Sequence, residues 1–198
     1  MQSMRQALYA GCVIIAVLFL TSCASSNMAY SRYIFEGKKE WQAKDYVQAK
    51  IDFLKAYEAE KRVAPLAWAA TTSYWLNDLP GAERYIREAE ADREYKKGLS
   101  YFRVTGYKAL VLLKQGNKGE GLAVLKVYVD AYGHTFPSSN LAKIDFMAKK
   151  GEVDLPRLEV MLEDDVWEYE QAVEQFESGR TGYFDKASSS GGGGGTPP

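Results

Sequence analysis

SRYIFEGKKEWQAKDYVQAKIDFLKAYEAEKR, residues 31–62, spaces its apolar side chains three and four apart on both sides of a polar break at Lys44 and Asp45. Such spacing lines one face of a helix, and Asp is a preferred helix N-cap. The stretch therefore predicts two helices, at about 30 to 44 and 46 to 62. The same pattern continues along the chain. It predicts a second pair at about 64 to 76 and 79 to 96, a third at 99 to 115 and 118 to 132, and a fourth at 138 to 150 and 155 to 178. Gly98, Gly116, Gly133 and Gly151 fall where helices should end, and Asp78 and Asp154, each followed by Leu-Pro, where they should begin. No stretch alternates in the manner of a strand, so the expected class is all-α.

The second helices share a spacing: Ala49-x3-Phe53-x2-Ala56, Ala82-x3-Ile86-x2-Ala89, Gly121-x3-Leu125-x2-Tyr128, and Leu158-x3-Leu162. The steps between units are 33, 39 and 37 residues, a period that marks stacked helical hairpins. In the first unit Tyr33-x2-Glu36-Gly37, followed by Asp45-Tyr46-x2-Ala49-x3-Phe53-x2-Ala56, resembles the tetratricopeptide repeat. The resemblance weakens along the chain, because Glu36 and Glu40 stand where the family prefers Leu and an aromatic, and the third unit has Gly121 and Tyr128 for the small residues. It implies about four hairpins over residues 31–183, stacked as a right-handed solenoid. Small residues would let helices approach, while Phe53, Trp68, Ile86 and Leu125 fill the core.

The ends differ from this body. Residues 1–22 carry one charge, Arg5, and an apolar run of 14 residues from Ala7 to Leu20. That is the layout of a cleaved secretory signal, and it is short of the ~20 residues a spanning helix needs. Leu20-Thr21-Ser22-Cys23 resembles the lipobox of bacterial lipoproteins, which implies cleavage before Cys23, fatty acylation of Cys23, and a tether over residues 23–30. Ala24 in place of Asp then implies the outer membrane, with the domain facing the periplasm. Cys12 would be lost with the signal and Cys23 blocked, excluding a disulfide or thiol catalyst from the mature chain. Residues 184–198, including ASSSGGGGGTPP from Ala187 to Pro198, have the composition of a loose tail.

The body is poor in catalytic groups. His134 is the only His and lies in Gly133-His134-Thr135-Phe136-Pro137, read as an exposed turn, so neither a His triad nor a multi-His metal site can be assembled. No phosphate loop is present, no cofactor or metal is implied, and a net charge of −1 does not suggest a nucleic-acid partner. A glycosidase would need two opposed carboxyls. Glu36 and Glu40 are the only candidate pair, and their lysine neighbours Lys38, Lys39 and Lys44 favour ion pairing. The chain is thus expected not to be an enzyme.

Two binding features stand out. If the repeat register holds, the first helices line a groove with Lys38, Trp41 and Gln42, then Thr71, Tyr74 and Trp75, then Arg103, Leu110 and Lys114. Basic and polar groups around aromatics suit a peptide, although Trp41 and Trp75 would equally fill the hairpin stack. The second feature is Glu159 to Glu177, which holds Glu159, Glu163, Asp164, Asp165, Glu168, Glu170, Glu174 and Glu177 with no Lys or Arg, a local charge of −8. Its apolar stripe of Leu155, Leu158, Leu162, Val166, Val173 and Phe176 should pack on the preceding hairpin. Its acids would form the solvated cap of the stack, recruit a basic partner, or do both. Together these features suggest a membrane-anchored periplasmic scaffold that binds a peptide or protein subunit during assembly of an envelope complex, similar in layout to pilotins and other secretion or pilus assembly factors. The alternatives are an enzyme or accessory factor of cell-wall metabolism and a component of polysaccharide export.

Overall fold

In the computed structural model, residues 26–93 and 95–177 are described. The expected signal peptide, Cys23 and the Gly-rich tail lie outside them. All regular structure among the described residues is helical. The helices are α1 (residues 26–42), α2 (Tyr46–Ala59), α3 (Val63–Trp75), α4 (Leu79–Glu90), α5 (Tyr101–Lys114), α6 (Lys118–Gly133), α7 (Leu141–Lys150) and α8 (Leu155–Glu177), with one 3-10 turn at Tyr95–Lys97. None of the described helices is long and apolar enough to cross a membrane.

The first three hairpins share one turn. Lys44, Asn77 and Gly116 each take a left-handed conformation, with φ of 63°, 59° and 84°. The next residue in each case reaches back five positions: Asp45 N–H donates to Glu40 O at 2.9 Å, Asp78 to Ser73 at 2.8 Å, and Asn117 to Leu112 at 2.9 Å. This is the closing bond of a Schellman motif. The residue making it is also the N-cap of the following helix, and the Asp45 and Asp78 carboxylates accept from Gln48 N and Gly81 N, both at 3.0 Å. One residue position thus ends one helix and starts the next. These turns recur at 33 and 39 residues, the steps of the Ala49, Ala82, Gly121 series. The fourth turn differs, because left-handed Gly151 (φ 70°) is followed by two further residues before Asp154 caps α8.

Small residues bring the helices together. Ala49, Ala56, Ala69, Ala70, Ala82 and Ala89 have no exposed surface, and Phe53, Trp68, Ile86 and Leu125 are buried as the spacing predicts. A Cβ on Gly37 would meet the Phe53 ring at 2.6 Å, so the approach of α1 to α2 requires Gly there. Sequence neighbours pack as α2 on α3, α3 on α4, α5 on α6 and α6 on α7, and α3 also packs on α5. α8 turns back onto α5, burying Leu158, Met161, Leu162 and Val166.

Three boundaries depart from expectation. α4 stops at Glu90 rather than 96, since Tyr95 turns inward to hydrogen-bond Thr105 on α5 at 3.0 Å. α7 starts at Leu141 rather than 138, because Ser138 Oγ accepts from the Asn140 and Leu141 N–H groups and holds the preceding turn open. Residues 26–30, expected in the tether, belong to α1. Phe176, expected in the α8 stripe, is 57% exposed, and Ala172 is buried on that half of the helix instead.

Candidate binding face

Lys38 of α1, Tyr74 of α3 and Arg103 of α5, three of the residues nominated for a groove, all contact α8. The two features that the sequence offered separately are partners of each other. Arg103 from α5 is fully buried. Its Nε and Nη2 donate to the two oxygens of Glu170 at 2.8 and 3.0 Å, and its Nη1 donates to both oxygens of Glu163 at 3.1 Å. The guanidinium stacks 3.6 Å from the Trp68 ring centroid, with Thr71 Oγ1 3.5 Å from Nη1. Burial works against the Arg103 charge, yet Glu163 and Glu170 hold it protonated above the usual arginine range. Burial pushes Glu163 up, against the pull of Arg103 and of the Tyr107 hydroxyl.

Around this clamp, Tyr74 donates to Glu159, Tyr107 donates to Glu163, and Trp75 Nε1 donates to the Tyr107 oxygen at 2.8 Å. Lys38 pairs with Glu174, and Trp167 meets Trp68 edge-on with centroids 5.9 Å apart. Burial and the Glu159 carboxylate raise Tyr74, and burial raises Tyr107, so both remain protonated donors. Glu159, Glu163, Trp167, Glu170 and Glu174 follow one another at spacings of 4, 4, 3 and 4, a single stripe along α8. The face therefore holds an acidic amphipathic helix by a forked arginine, a lysine, two phenols and an indole.

The expected solvated face of the acidic helix needs correction on this point. Asp165 and Glu170 are buried and Glu163 is partly so, while Asp164 and Glu168 are exposed. Asp165 points away from the clamp toward the α6–α7 turn, accepting from Ser138 Oγ at 2.7 Å and Asn140 Nδ2 at 3.0 Å. Its other oxygen is buried without a partner, as is the Tyr128 hydroxyl.

Among the other nominated residues, Thr71, Tyr74 and Leu110 have no exposed surface. Trp41 and half-buried Trp75 fill the hairpin stack: Trp41 lies 4.8, 5.7 and 6.2 Å from the rings of Tyr46, Trp68 and Trp75. Lys114 is exposed with its ammonium 4.4 Å from the Tyr74 ring centroid. What stays open is a notch of about 250 Å³ between α1 and α8, lined by Trp41, Gln42, Glu163, Asp164, Trp167 and Glu168. A second groove, of about 570 Å³, was not anticipated from the sequence: Ile86, Val111, Leu112 and Val124 of α4, α5 and α6 face a rim that includes Glu83, Arg87 and Lys108. Its apolar lining comes from helix positions that a one-face pattern assigns to packing.

Glu36 lies 3.7 Å from the Lys39 ammonium and is half exposed, while Lys38 turns away to Glu174. His134 is exposed, as its turn position predicts. Among the described residues, no group of His, Cys, Asp and Glu is arranged to hold a metal ion. In comparisons with protein-family models, with curated proteins and with solved structures, the chain finds no match.

Proposed function

We propose that this chain is a lipid-anchored helical scaffold, fixed by Cys23 to the outer membrane and facing the periplasm, that holds a peptide or protein subunit while an envelope complex is assembled. The observation that carries this reading is the face of α1, α3 and α5, which seats an acidic amphipathic helix through Arg103, Lys38, Tyr74 and Trp68. Faces with this chemistry recognise helical segments. The three like turns, recurring in step with the Ala49, Ala82, Gly121 series, support the stacking of the hairpins as a right-handed, tetratricopeptide-like solenoid.

Because α8 occupies the clamp, Arg103, Thr71 and Tyr74 serve to seat α8, and a partner meets the edge that remains open: Trp41, Gln42, Asp164, Trp167 and Glu168. Replacing Glu168 by a photo-crosslinking residue in intact cells tests this, with Asn117, the exposed N-cap residue before α6, as the control position. The expected outcome is a defined envelope protein captured from position 168, absent from position 117, and reduced by Gln42→Ala, an exposed residue of the notch. Equal capture from both positions would overturn the reading.

A further inference from the structure

We infer that the outer stripe of α1 is a second contact with the membrane, lying against an anionic phospholipid surface beside the lipid anchor. The inference rests on the acylation of Cys23 proposed above. Met28 and Phe35 are the two most exposed large apolar side chains among the described residues, at 74% and 66%. They are not scattered. Met28, Arg32, Phe35 and Lys39 follow one another at spacings of 4, 3 and 4, so they share one helix face, and all four are exposed. The opposite face is committed to the protein: Gly37 is buried against Phe53, and Trp41 is buried.

Alternating apolar and basic residues on an exposed stripe suit the boundary between headgroups and acyl chains. The apolar side chains enter the boundary while the cations meet lipid phosphates. Position along the chain selects this surface over a protein partner. Only Ala24 and Ser25 separate Cys23 from the first described residue of α1, so the Cα atoms of Cys23 and Ser26 stand at most ~11 Å apart. An acylated Cys23 would hold the start of α1 within one headgroup layer of the bilayer, where even two apolar side chains and two cations act at high local concentration. The charge distribution is consistent with this orientation. The cations of the stripe would face the lipid, and Glu174 of α8, at the flank of the stripe, is already paired with Lys38.

The test uses the full acylated protein reconstituted in vesicles of phosphatidylethanolamine with and without phosphatidylglycerol. An environment-sensitive dye is placed at Ser31→Cys, beside the stripe, or at Asn117→Cys as the distant control, and quenching by brominated acyl chains is measured. Quenching is expected at position 31 and not at 117. It should be strengthened by phosphatidylglycerol and reduced severalfold by Arg32→Glu with Lys39→Glu and by Phe35→Glu, with helical content and melting temperature unchanged. Equal quenching at 31 and 117, in protein whose Cys23 carries its fatty acids by mass spectrometry, would overturn the inference while leaving the anchor intact. An unmodified Cys23 would overturn both, and the mass spectrum tells the two failures apart.

Discussion

Arg103 has no solvent to fall back on. Its guanidinium is held by Glu163, Glu170, Thr71 and Trp68, and Glu170 in turn is 3% exposed. Removing one member of a buried ion cluster strands the charges left behind, which costs about 3–5 kcal/mol, whereas replacing the whole cluster by neutral groups of similar size is far cheaper. Arg103→Ala should therefore lower the urea midpoint severely. Arg103→Met combined with Glu163→Gln and Glu170→Gln should recover much of the loss. Asp165 behaves differently, because one of its carboxylate oxygens has no donor. Burial, assisted by Glu168 and Asp164, raises it above its ordinary value of 3.8 against the donors Ser138 and Asn140. A raised carboxyl stabilises the fold while protonated, and that contribution is lost as pH rises through its folded pKa. Asp165→Asn keeps an acceptor for Ser138 and Asn140 and places a donor where the orphan oxygen stood. The variant should be about 1 kcal/mol more stable than the parent at neutral pH, and the gain should vanish in urea titrations below pH 3.8.

At the scale of the element, the hairpin turns explain how much could be read in advance. Asp45, Asp78 and Asp154 announce N-caps, Gly116 and Gly151 announce left-handed residues, and each of the eight described helices begins or ends within a few residues of such a signal. Lys44 and Asn77 carry the same left-handed turn without Gly, so the identity of the three turns was invisible in residue type and emerged only from φ and the five-back hydrogen bond. Gly37 was legible as part of a repeat, and its reason is steric. Gly37→Ala places a methyl 2.6 Å from the Phe53 ring, and since Phe53 is enclosed by Trp68 at 5.1 Å it has little room to yield. We expect a loss of about 1–3 kcal/mol and a drop in melting temperature. α8 shows the limit of one-dimensional reading. Its acids face two directions, and a charge count along the sequence cannot separate Asp164 and Glu168, which meet water, from Glu163, Asp165 and Glu170, which meet Arg103, Ser138 and Asn140.

At the scale of the molecule, the sequence offered a groove and an acidic helix as separate features, and the contact between them was not foreseen. Groove and acidic helix are 60 or more residues apart in the pairs Arg103–Glu163, Arg103–Glu170 and Lys38–Glu174. Local periodicity fixes which side of a helix is apolar, but not that α8 folds back across α1, α3 and α5. That return sets what the molecule can offer a partner: a filled clamp, an open notch beside it, and a basic apolar stripe on α1. The clamp and the notch depend on α8 being seated by Arg103, and amide hydrogen exchange over Trp167–Glu174 measures this directly. In the native protein these amides should be protected well beyond an isolated helix, and Glu170→Ala should release them while α2, α3 and α4 keep their protection. Rapid exchange of this segment in the native protein, or protection unchanged by Glu170→Ala, would contradict the seating of α8 on the inner face.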